Sequence, residues 1–373
     1  MWNRLSQIGR DLGSALFGNK SSSSAAKKSS KTKDAVRHLV VKEVTRETKD
    51  SISFVLSDPA GAQIELAAGQ YFTVVRKVGG KTLKRAYSAS SIAGSVQEVR
   101  LACKAVPDGK VSPDLVANLK VGEKLEVLGP SGLFTVPDGA KHLVLLGGGS
   151  GITPMMSIAH THLAADEGVR IDLLYGNRSD QDIIFEKEIA SLVDKYGDRF
   201  RVRHVLEEAS DKASRVGRLD QTTVLAELDA LGSFTDDAHF FVCGPIGMMG
   251  EARAALTGRG ITKTRLKEEE FVSAPETDAV EASETQEVEV FLEGAATIVY
   301  VRPGQTILEA AHEEGVAIPS SCTVGGCGTC RCKLASGKVS MAEPNCLDPD
   351  ERADGFILAC CSKPLTACRV EVE

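Results

Sequence analysis

The sequence predicts a multidomain chain: an antiparallel β-barrel, then a doubly wound α/β domain, then a small third domain. Three changes of pattern along the chain carry this reading. Residues 35–137 run as short alternating strands broken by Gly, Pro and Asp turns, the habit of a closed antiparallel sheet. From residue 138 to 272 apolar strands alternate with helical stretches, the signature of a parallel sheet with helices on both faces. Residues 287–373 hold a hairpin, a capped helix and a returning strand, enough for a self-contained unit. At 373 residues, with 42% apolar and 25% charged side chains, the chain is long enough for all three.

The N-terminal segment, residues 1–34, stands apart. Trp2, Leu5, Ile8, Leu12 and Leu16 recur at helical spacing with Phe17 beside them, while Arg4, Arg10 and Asp11 interrupt any signal-peptide core. Residues 20–33 are almost entirely Ser, Ala, Lys and Thr, which cannot bury a core and read as a flexible basic linker. Residues 1–18 thus read either as an amphipathic anchor, for a membrane surface or a partner's groove, or as a tail without function.

In the barrel, strands are expected at Ile52–Leu56, Tyr71–Val75, Val99–Ala102 and Lys124–Leu128. In the α/β domain they are expected at Leu143–Leu146, Ile171–Tyr175, Val202–Leu206 and Phe240–Cys243, with a helix over Met155–Ala165. Residues 273–286 are polar and acidic around Pro275 and form a second linker. Beyond it, Val288–Leu292 and Thr297–Val301 form the hairpin. Thr306 and Glu309 supply a capping box for a helix closed near Gly315, and Leu365–Val372 returns as a strand.

A net charge of −7 argues against nucleic acid as a general partner. The longest apolar runs are of strand length, far short of a spanning helix. The cysteines imply no disulfide framework; a long chain that uses them this way reads as cytoplasmic and reduced, with peripheral membrane contact only if the N-terminal segment is an anchor.

Cys322, Cys327 and Cys330, with a distant Cys360, follow the C-x4-C-x2-C…C spacing of plant-type [2Fe–2S] ligands. Each iron needs two thiolates; a tight loop supplies three and a separate strand end the fourth. Gly325, Gly326 and Gly328 let that loop wrap closely and turn amides toward sulfur. Zinc is the competing metal, but structural zinc takes paired C-x2-C knuckles, and one pair exists here. Cys361 adjoins Cys360 and is the alternative fourth ligand; Cys360 has the usual register after the Phe356–Ala359 run. Cys103, Cys332, Cys346 and Cys368 read as buried apolar residues.

Arg85-Ala86-Tyr87-Ser88 sets a cation, an aromatic face and a hydroxyl on one strand, as a flavin requires for its phosphate, its ring and its reactive nitrogen. By itself that string is also an ordinary surface strand. Gly109-Lys110-Val111-Ser112 precedes a helical stretch from Pro113, whose start suits a second phosphate. Gly147-Gly148-Gly149-Ser150-Gly151-Ile152-Thr153-Pro154 joins a strand to a helix, with Thr153 and Pro154 as N-cap and first-turn residue, and suits a nucleotide, although such turns also serve packing alone. Cys243-Gly244-Pro245 at another strand end is expected beside it. No base stands out near Cys243, so a non-bonded position at the nicotinamide fits better than covalent catalysis. Arg178, after the strand Ile171–Tyr175, reads as a 2′-phosphate ligand or as a solvated charge, which leaves NADH against NADPH open.

These motifs, in this order over residues 36–373, resemble the ferredoxin-NADP reductase superfamily in the branch fused to a C-terminal plant-type ferredoxin. That resemblance implies a β-grasp ferredoxin domain and an NAD(P)H-dependent oxidoreductase. It implies that Arg85, Tyr87 and Ser88 hold FAD and that Gly109, Val111 and Ser112 bind its pyrophosphate. It also implies that Gly148, Gly149, Gly151 and Thr153 face the nicotinamide nucleotide and that Cys243 and Gly244 border the nicotinamide. Glu269 and Phe271 resemble the acidic and aromatic pair that closes such modules near the flavin, the run Glu268-Glu269-Glu270 leaving the register open. Ser88, Cys243 and Glu269 are thereby the expected catalytic set. Members resemble reductases serving phenylacetyl-CoA epoxidase and ketosteroid hydroxylase, so the expected partner is an oxygenase, hydroxylase or desaturase. The alternatives are a reductase of another metalloprotein, such as a hybrid-cluster protein or a cytochrome, and a redox-sensing binding protein.

Overall fold

The computed structural model describes residues 36–232, 234–271, 280–320, 322–326, 328–342, 345–347 and 349–372. The amphipathic segment and basic linker, residues 273–279 of the acidic linker and Cys327 lie outside the described residues.

The first domain is built from β1 (Arg37–Thr48), β2 (Ser51–Ser57), β3 (Ile64–Leu66), β4 (Tyr71–Val78), β5 (Lys81–Ser88), β6 (Gly94–Val96), β7 (Glu98–Lys104) and β8 (Lys124–Ser131), with α1 (Val111–Asn118) between the last two. The main sheet is antiparallel in the order β5-β4-β8-β1-β2-β7, with β3 and β6 paired separately. Its two edges meet where Ala89 bridges Leu101 and the Ser90 amide donates to the Arg100 carbonyl at 2.8 Å. That contact brings the ends of the sheet together into a barrel. Period-two alternation fills the interior: Ile52, Phe54 and Leu56 of β2 face Val99, Leu101 and Cys103 of β7 in one buried cluster.

The second domain comprises β9 (His142–Gly148), α2 (Ile152–Ala165), β10 (Arg170–Asn177), α3 (Glu186–Tyr196), β11 (Phe200–Leu206), β12 (Arg215–Val216), α4 (Gln221–Leu231), β13 (His239–Cys243), α5 (Ile246–Gly258) and β14 (Leu266–Glu269). All strand pairs are parallel, in the order β12-β11-β10-β9-β13-β14. β9 is buried along its whole length, as a central strand covered on both faces must be. The chain fills the sheet outward from β9 to β12 and then returns to the other side of β9. The switch point therefore lies between the carboxyl ends of β9 and β13, where ligands collect on such sheets. Ala68, Ala102 and Phe134 of the barrel belong to the same buried cluster as β9 and α2, and Phe134 meets Phe241 edge-on at 5.3 Å. The barrel keeps its own core and joins that of the nucleotide domain through these residues.

The third domain has β15 (Gln286–Leu292), β16 (Ala295–Val301), α6 (Ile307–Glu313), β17 (Arg331–Ser336), β18 (Val339–Met341), α7 (Pro349–Ala353), β19 (Phe356–Leu358), β20 (Ser362–Pro364) and β21 (Cys368–Val372). Its mixed sheet runs β16-β15-β21-β17-β19, with the first and last strands β15 and β21 parallel at its centre. The predicted capping box is present: Thr306 Oγ1 accepts from the Glu309 amide and Glu309 Oε2 from the Thr306 amide.

The structure corrects several local expectations. α1 starts at Val111 rather than Pro113, and α2 at Ile152 with Gly151 as N-cap, so Thr153 does not cap it. Both Pro113 and Pro154 stand in the first turn, where the missing N–H would have had no partner within the helix. β19 stops at Leu358, placing Cys360 in the turn that follows, and β21 begins at Cys368 rather than Leu365.

Candidate functional site

A cavity of about 430 Å3 opens where the three domains meet. Arg85, Ala86, Tyr87 and Ser88 line it from β5, and Val106 to Ser112 line it from the loop into α1. Ser150, Thr153, Glu269, Glu270 and Phe271 enter from the nucleotide domain, and Cys322, Val324 and Gly326 from the third domain.

Ser88 ends β5 opposite Tyr71 and is buried. Its Oγ donates to Glu269 Oε2 at 3.0 Å. The register of the acidic run follows from β14: Glu269 pairs with Cys243 of β13 and faces Ser88, whereas Glu268 accepts from Arg253 Nε at 2.9 Å. Burial raises the Glu270 carboxyl, and Glu268 adds to that rise against the opposing pull of Arg253. Phe271 is 43% exposed at the rim. Tyr87 is hydrogen bonded to the thiol of Cys103; burial raises its hydroxyl well above the usual range and pushes the Cys103 thiol up to about 12. The Arg85 guanidinium donates to the Lys84 carbonyl at 2.8 Å. The Val106 amide donates to Ser112 Oγ at 3.1 Å, which folds the loop over Gly109, and no side chain caps α1. An uncapped helix start beside Arg85 is the donor set a pyrophosphate needs.

The turn from β9 to α2 is a short 3-10 turn, Gly149–Gly151. A Cβ on Gly151 would fall 2.1 Å from the Cys243 carbonyl oxygen, and one on Gly148 would fall 2.6 Å from the Met248 sulfur. Cys243-Gly244-Pro245 therefore packs directly against the glycine turn, as its strand position led us to expect. Thr153 Oγ1 donates to the Ser150 carbonyl at 2.7 Å. Tyr175, buried in β10, donates its hydroxyl to the Gly149 carbonyl at 2.9 Å and accepts from the Ile184 amide at 3.3 Å. Nothing in the local sequence marks Tyr175, because the bond spans two strands. Cys243 is fully buried; burial, with Glu269 nearby, raises its thiol well above the ordinary value. A thiol so held is protonated, which fits a packing position and not a nucleophile. Arg178 lies at the far end of β10, 60% exposed, 3.8 Å from both Asp50 and Asp182.

In the third domain Cys322, Cys330 and Cys360 are all buried. The amides of Val324 and Gly326 donate to Cys322 Sγ at 3.5 and 3.3 Å, and the Cys360 amide donates to Cys330 Sγ at 3.4 Å. Amides aimed at sulfur favour the thiolate and tune a metal bound to it. Gly325 adopts φ +78°, and a Cβ there would lie 3.1 Å from both Asn345 Cβ and Cys361 Sγ. The Cys361 sulfur thus sits behind the loop at Gly325, while Cys360 meets Cys330. The donor set fits an iron–sulfur cluster, and the cavity fits a flavin.

One further constellation escaped the sequence. Arg100 of β7 donates to Glu188 of α3 at 2.7 Å, and His160 of α2 joins the same carboxylate. Burial raises Glu188, but the bonds to His160 and Arg100 outweigh it and hold the carboxyl at about 2. This pair ties the barrel to the nucleotide domain.

Three family models match the chain: an oxidoreductase FAD-binding domain over residues 38–136, an oxidoreductase NAD-binding domain over 145–254, and a 2Fe-2S iron-sulfur cluster binding domain over 290–365. The chain is 33% identical over 342 residues to a component of the 1,2-phenylacetyl-CoA epoxidase of Escherichia coli K12, covering 88% of this chain and 95% of that one. It is 32% identical to the ferredoxin reductase component of 3-ketosteroid-9-alpha-monooxygenase from Rhodococcus rhodochrous, covering 88% and 94%. Among solved structures, phthalate dioxygenase reductase superposes with a TM-score of 0.60 at 26% identity, over 91% of this chain and 98% of that one.

Proposed function

The chain belongs to the family of oxygenase reductase components that join FAD-binding, NAD-binding and [2Fe–2S] domains, and from that premise we propose how its own residues carry electrons from NAD(P)H to an oxygenase. It is an NAD(P)H-dependent oxidoreductase of the ferredoxin reductase type.

When bound, FAD takes up a hydride and the [2Fe–2S] cluster carries single electrons, so the flavin is the step-down element between donor and cluster. Tyr87 offers the ring a stacking face, and Arg85 with the amides of Val111 and Ser112 holds the pyrophosphate, while Gly109, its amide bonded to the Val106 carbonyl at 3.0 Å, shapes the loop around it. Ser88 Oγ stands at the reactive end of the ring, where it would donate once its hydroxyl turns from Glu269 Oε2, which accepts its single proton in this structure. Gly148, Gly149, Gly151 and Thr153 present the start of α2 to the nicotinamide nucleotide, while Gly244 and the Cys243 backbone border its ring. Phe271 covers the site from the rim. Cys322, Cys327, Cys330 and Cys360 hold the cluster.

One observation supports this reading most: Cys322, Val324 and Gly326 of the cluster loop line the same cavity as Arg85 to Ser88. No separate path is then needed between the flavin and the cluster. An oxygenase as acceptor follows from the relatives. Residues 1–18 supply a docking segment for that partner or for a membrane surface, a reading carried by their apolar spacing alone. Among the described residues no helix is long and apolar enough to cross a membrane.

Anaerobic titration with NADH and with NADPH, followed by visible absorption and low-temperature EPR, tests the reading. Flavin bleaching followed by a rhombic reduced-cluster signal is expected. A protein that holds zinc, or a flavin that is reduced while the cluster never is, would overturn it.

A further inference from the structure

On a doubly wound sheet a dinucleotide crosses the switch point, here between β9 and β13. With the pyrophosphate at Gly149–Gly151 and the nicotinamide toward Gly244, the adenosine half would lie over the carboxyl ends of β10 and β11, the strands on the other side of β9. Pairing of those two strands continues past their ends: the Glu207 amide donates to the Asn177 carbonyl at 3.1 Å and the Glu208 amide to the Arg178 carbonyl at 2.9 Å. Glu207 and Glu208 are therefore held side by side with Arg178 at the adenosine end.

The cations near this end are already matched. Arg178 lies between Asp50 and Asp182, and Asp182 also has Lys49 at 3.6 Å. Arg218 is 3.1 Å from Glu207 Oε2, and Lys212 is paired with Glu186. Glu208 is exposed and makes no ion pair among the described residues. A 2′-phosphate would compete with carboxylates for each of these cations and would meet the carboxylate of Glu208 as well. A ribose 2′-hydroxyl would instead find an acceptor, the usual arrangement where NAD is bound.

We propose that Glu207 and Glu208 make this chain select NADH over NADPH, Glu208 accepting a hydrogen bond from the adenosine ribose and Glu207 withholding Arg218 from a phosphate. The inference rests on the nucleotide reading of the β9–α2 turn given above.

Isothermal titration of the flavin-loaded full chain with ADP-ribose and with 2′-phospho-ADP-ribose tests it, alongside flavin bleaching by NADH and NADPH. ADP-ribose is expected to bind at least about ten-fold tighter, equivalent to about 1.4 kcal/mol. The double variant Glu207→Gln, Glu208→Gln should narrow that ratio, mainly by strengthening binding of the 2′-phosphate compound. Equal or tighter binding of that compound by the wild-type chain would sink the inference, and this comparison needs no variant to be stable. An unchanged ratio in a folded double variant would remove the assignment to these residues. If neither compound binds, it is the nucleotide reading of the turn that fails.

Discussion

Ser88 Oγ and Glu269 Oε2 lie 3.0 Å apart although 181 residues separate them in the sequence. The bond joins the last residue of β5 to the last residue of β14, so the barrel and the nucleotide sheet each contribute half of one hydrogen-bonded pair at the cavity. The two domains are also joined by the edge-on contact of Phe134 with Phe241.

Removing either half should slow flavin reduction far more than it weakens flavin binding. Ser88→Ala and Glu269→Gln are each expected to lower the rate of reduction by NADH by about 10²-fold, the low end of general acid–base contributions. Stopped-flow bleaching of the visible flavin band measures the rate, and the flavin-to-protein ratio shows whether binding persists. Because the pair acts as a unit, the double variant should be no slower than the worse single one.

Cysteine variants should separate ligands from neighbours. Cys322→Ser, Cys327→Ser, Cys330→Ser or Cys360→Ser should abolish the EPR signal while flavin reduction continues. Cys361→Ser should keep both, because its sulfur faces Gly325 from behind the loop. A cluster that survives in Cys360→Ser and fails in Cys361→Ser would exchange their roles.

Tyr175→Phe removes the hydroxyl that holds the Gly149 carbonyl and the Ile184 amide. Leaving buried backbone groups unpaired costs about 1–3 kcal/mol. The expected outcome is a rise in KM for the nicotinamide nucleotide with kcat nearly unchanged, since the glycine turn loses its shape while Ser88 and Glu269 stay in place.

Acid should loosen the junction between barrel and nucleotide domain. The Glu188 carboxyl is held at about 2, below its ordinary value of 4.5, so its contribution is full above the unfolded value and is lost as pH falls toward the folded one. Arg100→Met should cost about 2 kcal/mol at neutral pH, somewhat less than the loss of a fully buried pair. The difference in stability between variant and wild type should shrink from about pH 5 downward, measured by urea unfolding at each pH. A gap independent of pH would show that Arg100 acts through its bonds to Ser90 or its packing on Phe185, whose ring lies 4.7 Å away, and not through Glu188.

Strand existence and order were legible because periodicity is local. The alternation in Ile52, Phe54 and Leu56, the all-apolar run before Gly147 and the Thr306–Glu309 box each declare their element within a few residues. Helix starts were less legible. Pro113 and Pro154 signal a first turn but do not say which position in it they occupy, and both proved to be the third helical residue.

By itself the sequence determined the three domains, the cysteine spacing, the string Arg85 to Ser88 proposed to hold the flavin, and the glycine turn, because each is a short string whose chemistry depends on neighbours in the chain. Only the tertiary structure decided which glutamate of Glu268-Glu269-Glu270 meets Ser88, that Cys243 is sealed in the core, that Tyr175 holds Gly149, and that the cluster loop faces the flavin cavity. Those facts depend on strand register and on how separate domains pack. Residues far apart in sequence come into contact there, and no local pattern records the distance between them.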